Sequence, residues 1–245
     1  MLRGLYTAAS GLLANQRRND VVANNIANVN TAGFKKEETV AKSFQETLIQ
    51  QINYEKVKEA GAPIGKLGKG VMIDEISTDY SAGDLVNTDN PLDIAIVGNG
   101  YLTVLDSETG REFYTRDGSL TINPQGQLIT QSGHQVLGTN GPINITGNLI
   151  EITEGGQVLV DGNDAGTLQI VDISNIKKYG HNLFTGDNPS PTVAQVKQGF
   201  LESSNVNAVE EMVKMINIMR SYETSQKVVQ AYDNTLEKAN EIGRI

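Results

Sequence analysis

Residues 21–38 read VVANNIANVNTAGFKKEE. Val22, Ile26 and Val29 recur at the three-to-four spacing of one helix face, yet Asn24, Asn25, Asn28 and Asn30 are crowded among them. Asparagine is a mediocre helix former because its short amide competes for nearby backbone hydrogen bonds, so this density needs a use. Toward the N-terminus the same phase continues as a heptad seam of Leu2, Leu5, Ala9 and Leu12, then polar Gln16 and Asn19, then Ala23 and Ile26. The spacing predicts one long helix from Leu2 to about Asn30. Thr31-Ala32-Gly33 ends it, with Gly33 placed for the left-handed conformation and Phe34 folding back as a hydrophobic contact.

Toward the C-terminus, Val40, Phe44, Leu48 and Ile52 stand four residues apart and predict a second helix over 37–60. GAPIGKLGKG at 61–70 reads as a flexible linker. The character then changes. From about 71 to 195, short apolar or alternating runs such as LDIAIV, YLTVL and TLQIVDI are separated by NG, DG, NPQG, SG and EGG turn signals, which predicts an all-β domain. From about Ser203 the helical period returns, with Asn205 or Asn207 as cap and Glu210 and Glu211 in the first turn, where the helix dipole favours them. Met212, Met215, Ile216, Met219, Tyr222, Val229, Tyr232 and Leu236 then follow along one broad face. The expected organisation is an N-terminal helical segment 1–36, a linker or extension 37–70, a β-rich domain 71–195 and a C-terminal helical segment 196–245. The fold class is α+β, an all-β centre inserted between long terminal helices.

Composition removes several function classes. The 245 residues carry a net charge of −9 with a pI near 4.8, and no basic face with interleaved aromatics is visible, so nucleic acid is not an expected partner. The absence of cysteine excludes disulfides, thiolate metal sites and cysteine nucleophiles. No run approaches the length of a membrane span, and the helix phase running from residue 2 into the asparagine block argues against a cleaved leader. His134 and His181 lie in turn-rich surroundings without a triad or metal-ligand spacing. GNGYLTV at 98–104 reads as a hairpin turn and GKLGKG at 65–70 lacks the P-loop order. DGNDAG at 161–166 reads as a tight turn, since Ala165 stands where a calcium loop needs a ligand. No catalytic residue, metal or cofactor is predicted.

The terminal helices carry the stronger signal. An apolar stripe is usually packed on its own domain, but these stripes are narrow, and Ala9, Ala14, Ala23 and Ala27 permit close approach of another backbone. Isolated helices are marginal in water, so such ends need partners, either each other or neighbouring chains. Asparagines in the seam would then fix register and partner choice at some cost in stability.

Ala23-Asn24-Asn25-Ile26-Ala27-Asn28-Val29-Asn30-Thr31, followed by Gly33-Phe34-Lys35, resembles the N-terminal signature of the bacterial flagellar axial proteins, the rod and hook family. The segment from Leu201-Glu202-Ser203-Ser204-Asn205-Val206-Asn207 through Glu210-Glu211-Met212-Val213 to Arg220-Ser221-Tyr222-Glu223 is similar to that family's C-terminal signature. Tyr114-Thr115-Arg116-Asp117-Gly118-Ser119-Leu120 through Gly126-Gln127-Leu128-Ile129-Thr130 resembles its central β motif. The resemblance implies a noncatalytic rod subunit in the flagellar basal body, assembling helically with copies of itself and with neighbouring rod and hook proteins. It implies passage through the flagellar type III export apparatus without a cleaved signal peptide, and terminal helices paired as a coiled coil in the assembled state. Met219-Arg220-Ser221-Tyr222-Glu223 departs from the usual distal-rod pattern and leaves distal and proximal rod both open. The expected assembly interface comprises Leu2, Leu5, Leu12, Asn24, Asn25, Ile26, Asn28, Asn30, Gly33, Phe34, Asn205, Asn207, Met212, Ile216, Met219, Tyr222, Val229 and Leu236. The rival readings are a hook-like filament subunit and a peptidoglycan- or carbohydrate-binding β protein. The second is weakened by the absence of Trp and an aromatic content of only 5%, which leaves little surface for sugar stacking.

Overall fold

The computed structural model describes residues 2–44, 47–50, 63–107, 109–147, 149–192 and 194–243. It is an α+β protein of two compact units, each discontinuous in sequence. The first unit takes Met1–Ile26, Glu37–Ser77 and Asn207–Ile245; the second takes Ala27–Lys36 and Thr78–Val206.

In the first unit, helix α1 spans Leu2–Ala27 and helix α2 spans Ala208–Ile242. Asn207 caps α2 from an extended conformation, its side chain accepting the Val209 N–H at 3.0 Å and the Glu210 N–H at 3.3 Å. The two helices run antiparallel where they touch. Asn25 of α1 reaches Glu211 at the start of α2, Asn15 reaches Ser221, and Gly4 lies against Tyr232. A Cβ on Gly4 would fall 2.0 Å from the Tyr232 hydroxyl, so this close approach needs a residue without a side chain.

The line of α1 facing α2 therefore runs through Gly4, Gly11, Asn15 and Asn25, with Ala14, Val21 and Val22 buried beside it. This corrects the seam expected from the aliphatic heptad. Gln16 and Ala23, placed on that seam, are exposed, while Leu5 and Leu12 are only half-buried at its flank. The heptad reading assumed that the largest apolar residues mark the contact, whereas glycines and amides make it here. The single broad face expected on α2 also divides in two. Met215, Ile218, Val229, Tyr232 and Leu236 are half-buried, but Val209, Met212, Val213, Ile216 and Met219 are well exposed.

Residues 37–43 form a strand, not the expected helix. β1 (Glu37–Ser43) pairs with β4 (Val71–Thr78), and β2 (Thr47–Gln50) pairs with β3 (Pro63–Leu67) in antiparallel register from Thr47 opposite Leu67 to Gln50 opposite Pro63. Phe44 N–H donates to Gly70 O at 2.8 Å beyond the end of the β1–β4 pairing, which forms a two-stranded ribbon. The expected helix thus fails where it is described, and its portion 51–60 lies outside the described residues. The expected linker likewise contains strand β3. The β1–β4 pair lies largely in water and has little need of alternating polarity, so the Glu- and Lys-bearing β1 carries the composition of a helix.

The second unit is the β domain. Its strands are β5 (Leu85–Asn87), β6 (Ile94–Val97), β7 (Tyr101–Leu105), β8 (Glu112–Thr115), β9 (Leu120–Ile122), β10 (Leu128–Thr130), β11 (Gln135–Gly138) and β12 (Gly141–Pro142). They are followed by β13 (Ile150–Ile152), β14 (Gln157–Val160), β15 (Asn163–Thr167), β16 (Ile170–Gly180), β17 (Leu183–Pro191), β18 (Gln195–Gln198) and β19 (Phe200–Glu202). An antiparallel sheet runs β16-β17-β8-β7-β11-β10-β9, and β16 also pairs with β7, closing β16, β17, β8 and β7 into a circuit. β13, β14 and β15 make a second sheet; β14 and β15 are joined at Asp161-Gly162, so only the first two residues of the expected 161–166 turn are a turn and the rest are strand. Both residues have positive φ, the geometry of a tight two-residue hairpin. Leu102, Val104, Val136, Val158, Leu128 and Ile143 centre the core, each no more than 1% exposed. Gly98-Asn99-Gly100 is not the expected hairpin turn: β6 pairs with β18 and β7 with other strands, so the glycines carry the chain from one sheet to another. β18 and β19 occupy the start of what was expected to be the C-terminal helical segment.

Candidate assembly site

Asparagine 25 answers the question posed by the asparagine block. Its side chain is fully buried in the first unit, where its amide donates to Glu37 O at 2.8 Å and to Glu211 Oε2 at 3.1 Å. Its oxygen accepts the Glu37 N–H at 3.0 Å. The side chain thus mimics a strand partner for the first residue of β1 while holding the first turn of α2. Glu211, 1% exposed, also meets Lys214 Nζ at 2.9 Å. The first turns of α2 are thus tied to α1 through Asn25 and Glu211, with Lys214 of α2 itself on the same carboxylate.

The second unit holds a buried ionic cluster. Glu202, at the end of β19, meets Lys35 Nζ at 2.5 Å through Oε1 and Arg116 Nη1 at 3.2 Å through Oε2. Glu202 Oε1 also accepts the Gly83 N–H at 3.0 Å. Lys35 is 1% exposed and donates to Ser81 O at 2.7 Å, while Arg116 donates to Ile96 O and Gly98 O and lies 5.1 Å from the centre of the Tyr101 ring. Two buried cations share one carboxylate. Burial accordingly holds the Lys35 ammonium below its ordinary pKa, against the opposing pull of Glu202.

The backbone around this cluster is equally constrained. Gly33 has φ +66°, donates its N–H to Glu202 O at 2.8 Å, and would place a Cβ only 2.4 Å from the carbonyl carbon of Arg116. Phe34 is 2% exposed, with Lys178 Nζ 4.0 Å from its ring centre. The Asn205 side chain accepts the Lys36 N–H at 2.8 Å and donates to Asp79 O and Ser81 O, which is why Asn207, not Asn205, is the cap. Lys35, Arg116 and Glu202 come respectively from the N-terminal, central and C-terminal blocks of the sequence. Those blocks, separated by tens of residues, meet in one buried cluster.

Three family models match the chain: flagella basal body rod protein over residues 5–35, flagellar hook protein FlgE/F/G D1 domain over 95–160, and flagellar basal body rod FlgEFG protein C-terminal over 197–242. The chain is 36% identical to the flagellar hook-basal body complex protein FlhO of Bacillus subtilis, with all of both chains covered. It is 37% identical to the flagellar basal-body rod protein FlgF of Caulobacter vibrioides, covering 97% of this chain and 95% of that one. This chain belongs to the flagellar basal-body rod protein family. A further relative, the rod protein FlgG of Borreliella burgdorferi, is 35% identical with all of both chains covered.

Each of the three matched regions of this rod-family chain contributes one member of the ionic cluster. The expected interface residues fall into two groups. Asn25, Gly33 and Phe34 are buried within their own unit, and Asn205 is committed to Lys36, Asp79 and Ser81. Asn24, Asn30, Asn207, Met212, Ile216, Met219 and Tyr222 are exposed; Leu5, Leu12, Ile26, Asn28, Val229 and Leu236 are half-buried. The side chain of Leu2 lies outside the described residues. Sequence reasoning missed Lys35, Arg116 and Glu202 as a set, although each stood inside a quoted block.

Proposed function

We propose that this chain is a structural subunit of the flagellar basal-body rod, polymerising with copies of itself and with neighbouring axial proteins into a shaft that transmits torque to the hook. The observation that carries the reading is full-length similarity to rod proteins together with a long terminal helix whose outward face, among the described residues, is apolar and exposed. That face includes Val209 at 67%, Ile216 at 52% and Met219 at 54% exposed. In the assembled state α1 and α2 act as a coiled-coil layer, and Met212, Ile216, Met219, Tyr222 and the exposed asparagines Asn24 and Asn30 meet neighbouring subunits. Asn25, Gly33, Phe34 and Asn205 serve indirectly by fixing the surface that assembles. The role is noncatalytic, and the chain reaches the basal body through the flagellar export apparatus.

A head-to-tail contact that does not close on itself generates a filament, which is what a shaft requires. The test is deletion of residues 1–30 in a flagellated cell, followed by electron cryomicroscopy of isolated basal bodies. Loss of this chain's density from the axial tube is the expected result. Retention of normal density would overturn the assembly role of the N-terminal helix.

A further inference from the structure

Among the described residues, the first unit carries two apolar surfaces of matching length that nothing covers. One is the outward stripe of α2, formed by Val209, Met212, Val213, Ile216 and Met219, on the side of the helix opposite Glu211, Ser221, Ser225 and Tyr232, which touch α1. At 1.5 Å per residue this stripe is about 15 Å long. The other is an open groove of about 520 Å³ between α1 and the β1–β4 ribbon, walled by Leu13 and Ala14 on the helix and by Phe44, Val71, Met72 and Ile76 on the ribbon. Its strand wall from Val71 to Ile76 is about 17 Å long at about 3.3 Å per residue. Leu13, Phe44, Met72 and Ile76 are between 42% and 66% exposed, so the groove is apolar surface left in water.

The charges give the two surfaces a common register. The groove lining also holds Arg17 on the helix side and, next to Ile76 on the ribbon side, Asp74 and Glu75, with Asp74 lying 3.6 Å from Lys42 Nζ. Beyond Met219, the apolar stripe gives way on the same helix face to Arg220 and Glu223. Each surface thus combines apolar side chains with one basic and at least one acidic side chain. Laid together, Arg220 meets the acidic ribbon edge and Glu223 meets Arg17.

We propose that the α2 stripe of one copy docks into the α1–ribbon groove of a second copy of this chain, as a helix in an apolar groove. The two patches differ, so the contact is head-to-tail and leaves one stripe and one groove free at the ends of every chain of subunits. This rests on the rod reading and specifies the joint that the reading requires.

The chain's lack of cysteine makes the test clean. Two variants, Met72→Cys and Ile216→Cys, both at exposed positions, are produced together in a flagellated cell, and isolated basal bodies are oxidised and run without reductant. A disulfide-linked dimer that needs both variants, at least tenfold above the control pair of Met72→Cys with Asn234→Cys, is expected. Both variants present in basal bodies without that dimer would overturn the docking while leaving the rod reading standing. Absence of the wild-type chain from basal bodies would overturn both. A charge exchange gives a second measurement: Arg220→Glu is expected to reduce incorporation at least tenfold and Glu75→Arg to restore it. Unchanged incorporation of Arg220→Glu, or no restoration, counts against the proposed register.

Discussion

Glu202→Ala is the most informative single change in the β domain. It removes the one carboxylate shared by Lys35 and Arg116, which are 1% and 8% exposed, and also strips an acceptor from the Gly83 N–H. Breaking a buried ion pair by deleting one partner costs about 3–5 kcal/mol, because the surviving charge is left uncompensated away from water. Against a typical domain stability of about 5–15 kcal/mol, this is about a fifth or more of the total. At about 2–4 °C per kcal/mol for a chain of this size, thermal unfolding should fall by about 10 °C. Lys35→Met should be far milder, about 1–2 kcal/mol, because it lowers the buried charge from one surplus cation to none and leaves Glu202 paired with Arg116. Urea unfolding of the purified chain, followed by near-ultraviolet circular dichroism from Tyr101 and Tyr114 in the β domain, measures both. A loss below about 1 kcal/mol for Glu202→Ala, or equal losses for the two variants, would refute the picture of two buried cations on one carboxylate.

Gly33→Ala should cost more than about 2 kcal/mol, combining left-handed backbone strain with a Cβ driven into the Arg116 carbonyl. Gly33→Asn should give no recovery, because asparagine relieves only the strain; a recovered midpoint in urea would show that the clash is absent. Burial raises the pKa of Asp117, with nearby Asp93 adding to the rise and the Ser119 N–H opposing it. Its contribution to stability is therefore fully present below the ordinary carboxylate pKa of 3.8 and is lost as pH rises through the raised value. Asp117→Asn should accordingly stabilise the chain at about pH 7 and not at about pH 3.5, measured by urea titration at each; a gain of equal size at both would show that the effect is not ionisation.

The two terminal helices were legible because periodicity over more than 25 residues is hard to produce by accident, and the Asn207 cap followed by two acidic residues marks a start. The β domain was legible from its turns; Asp161-Gly162 could be placed from the dipeptide alone. The β1–β4 pair was hidden because it lies mostly in water and β1 uses helix-forming residues. The cluster was hidden for the opposite reason: lysine is among the residues least often buried, so nothing in a linear reading sends Lys35 to the interior. Its burial depends on Glu202, and no local pattern links positions 167 residues apart. The asparagine block was visible as an anomaly, but its explanation, an amide serving Glu37 and Glu211 together, needed coordinates.

The separation between Lys35 and Glu202 also sets an order in time. A chain made or threaded N-terminus first delivers Lys35 early and Glu202 nearly last, and Asn25 waits still longer for Glu211. Until then Lys35 has no carboxylate to justify leaving water, and α1 has no α2 to cover its glycine-and-amide line. Neither unit can close around a partial chain. The fold therefore contains its own delay: the Lys35–Glu202 and Asn25–Glu211 contacts cannot form until most of the chain is present.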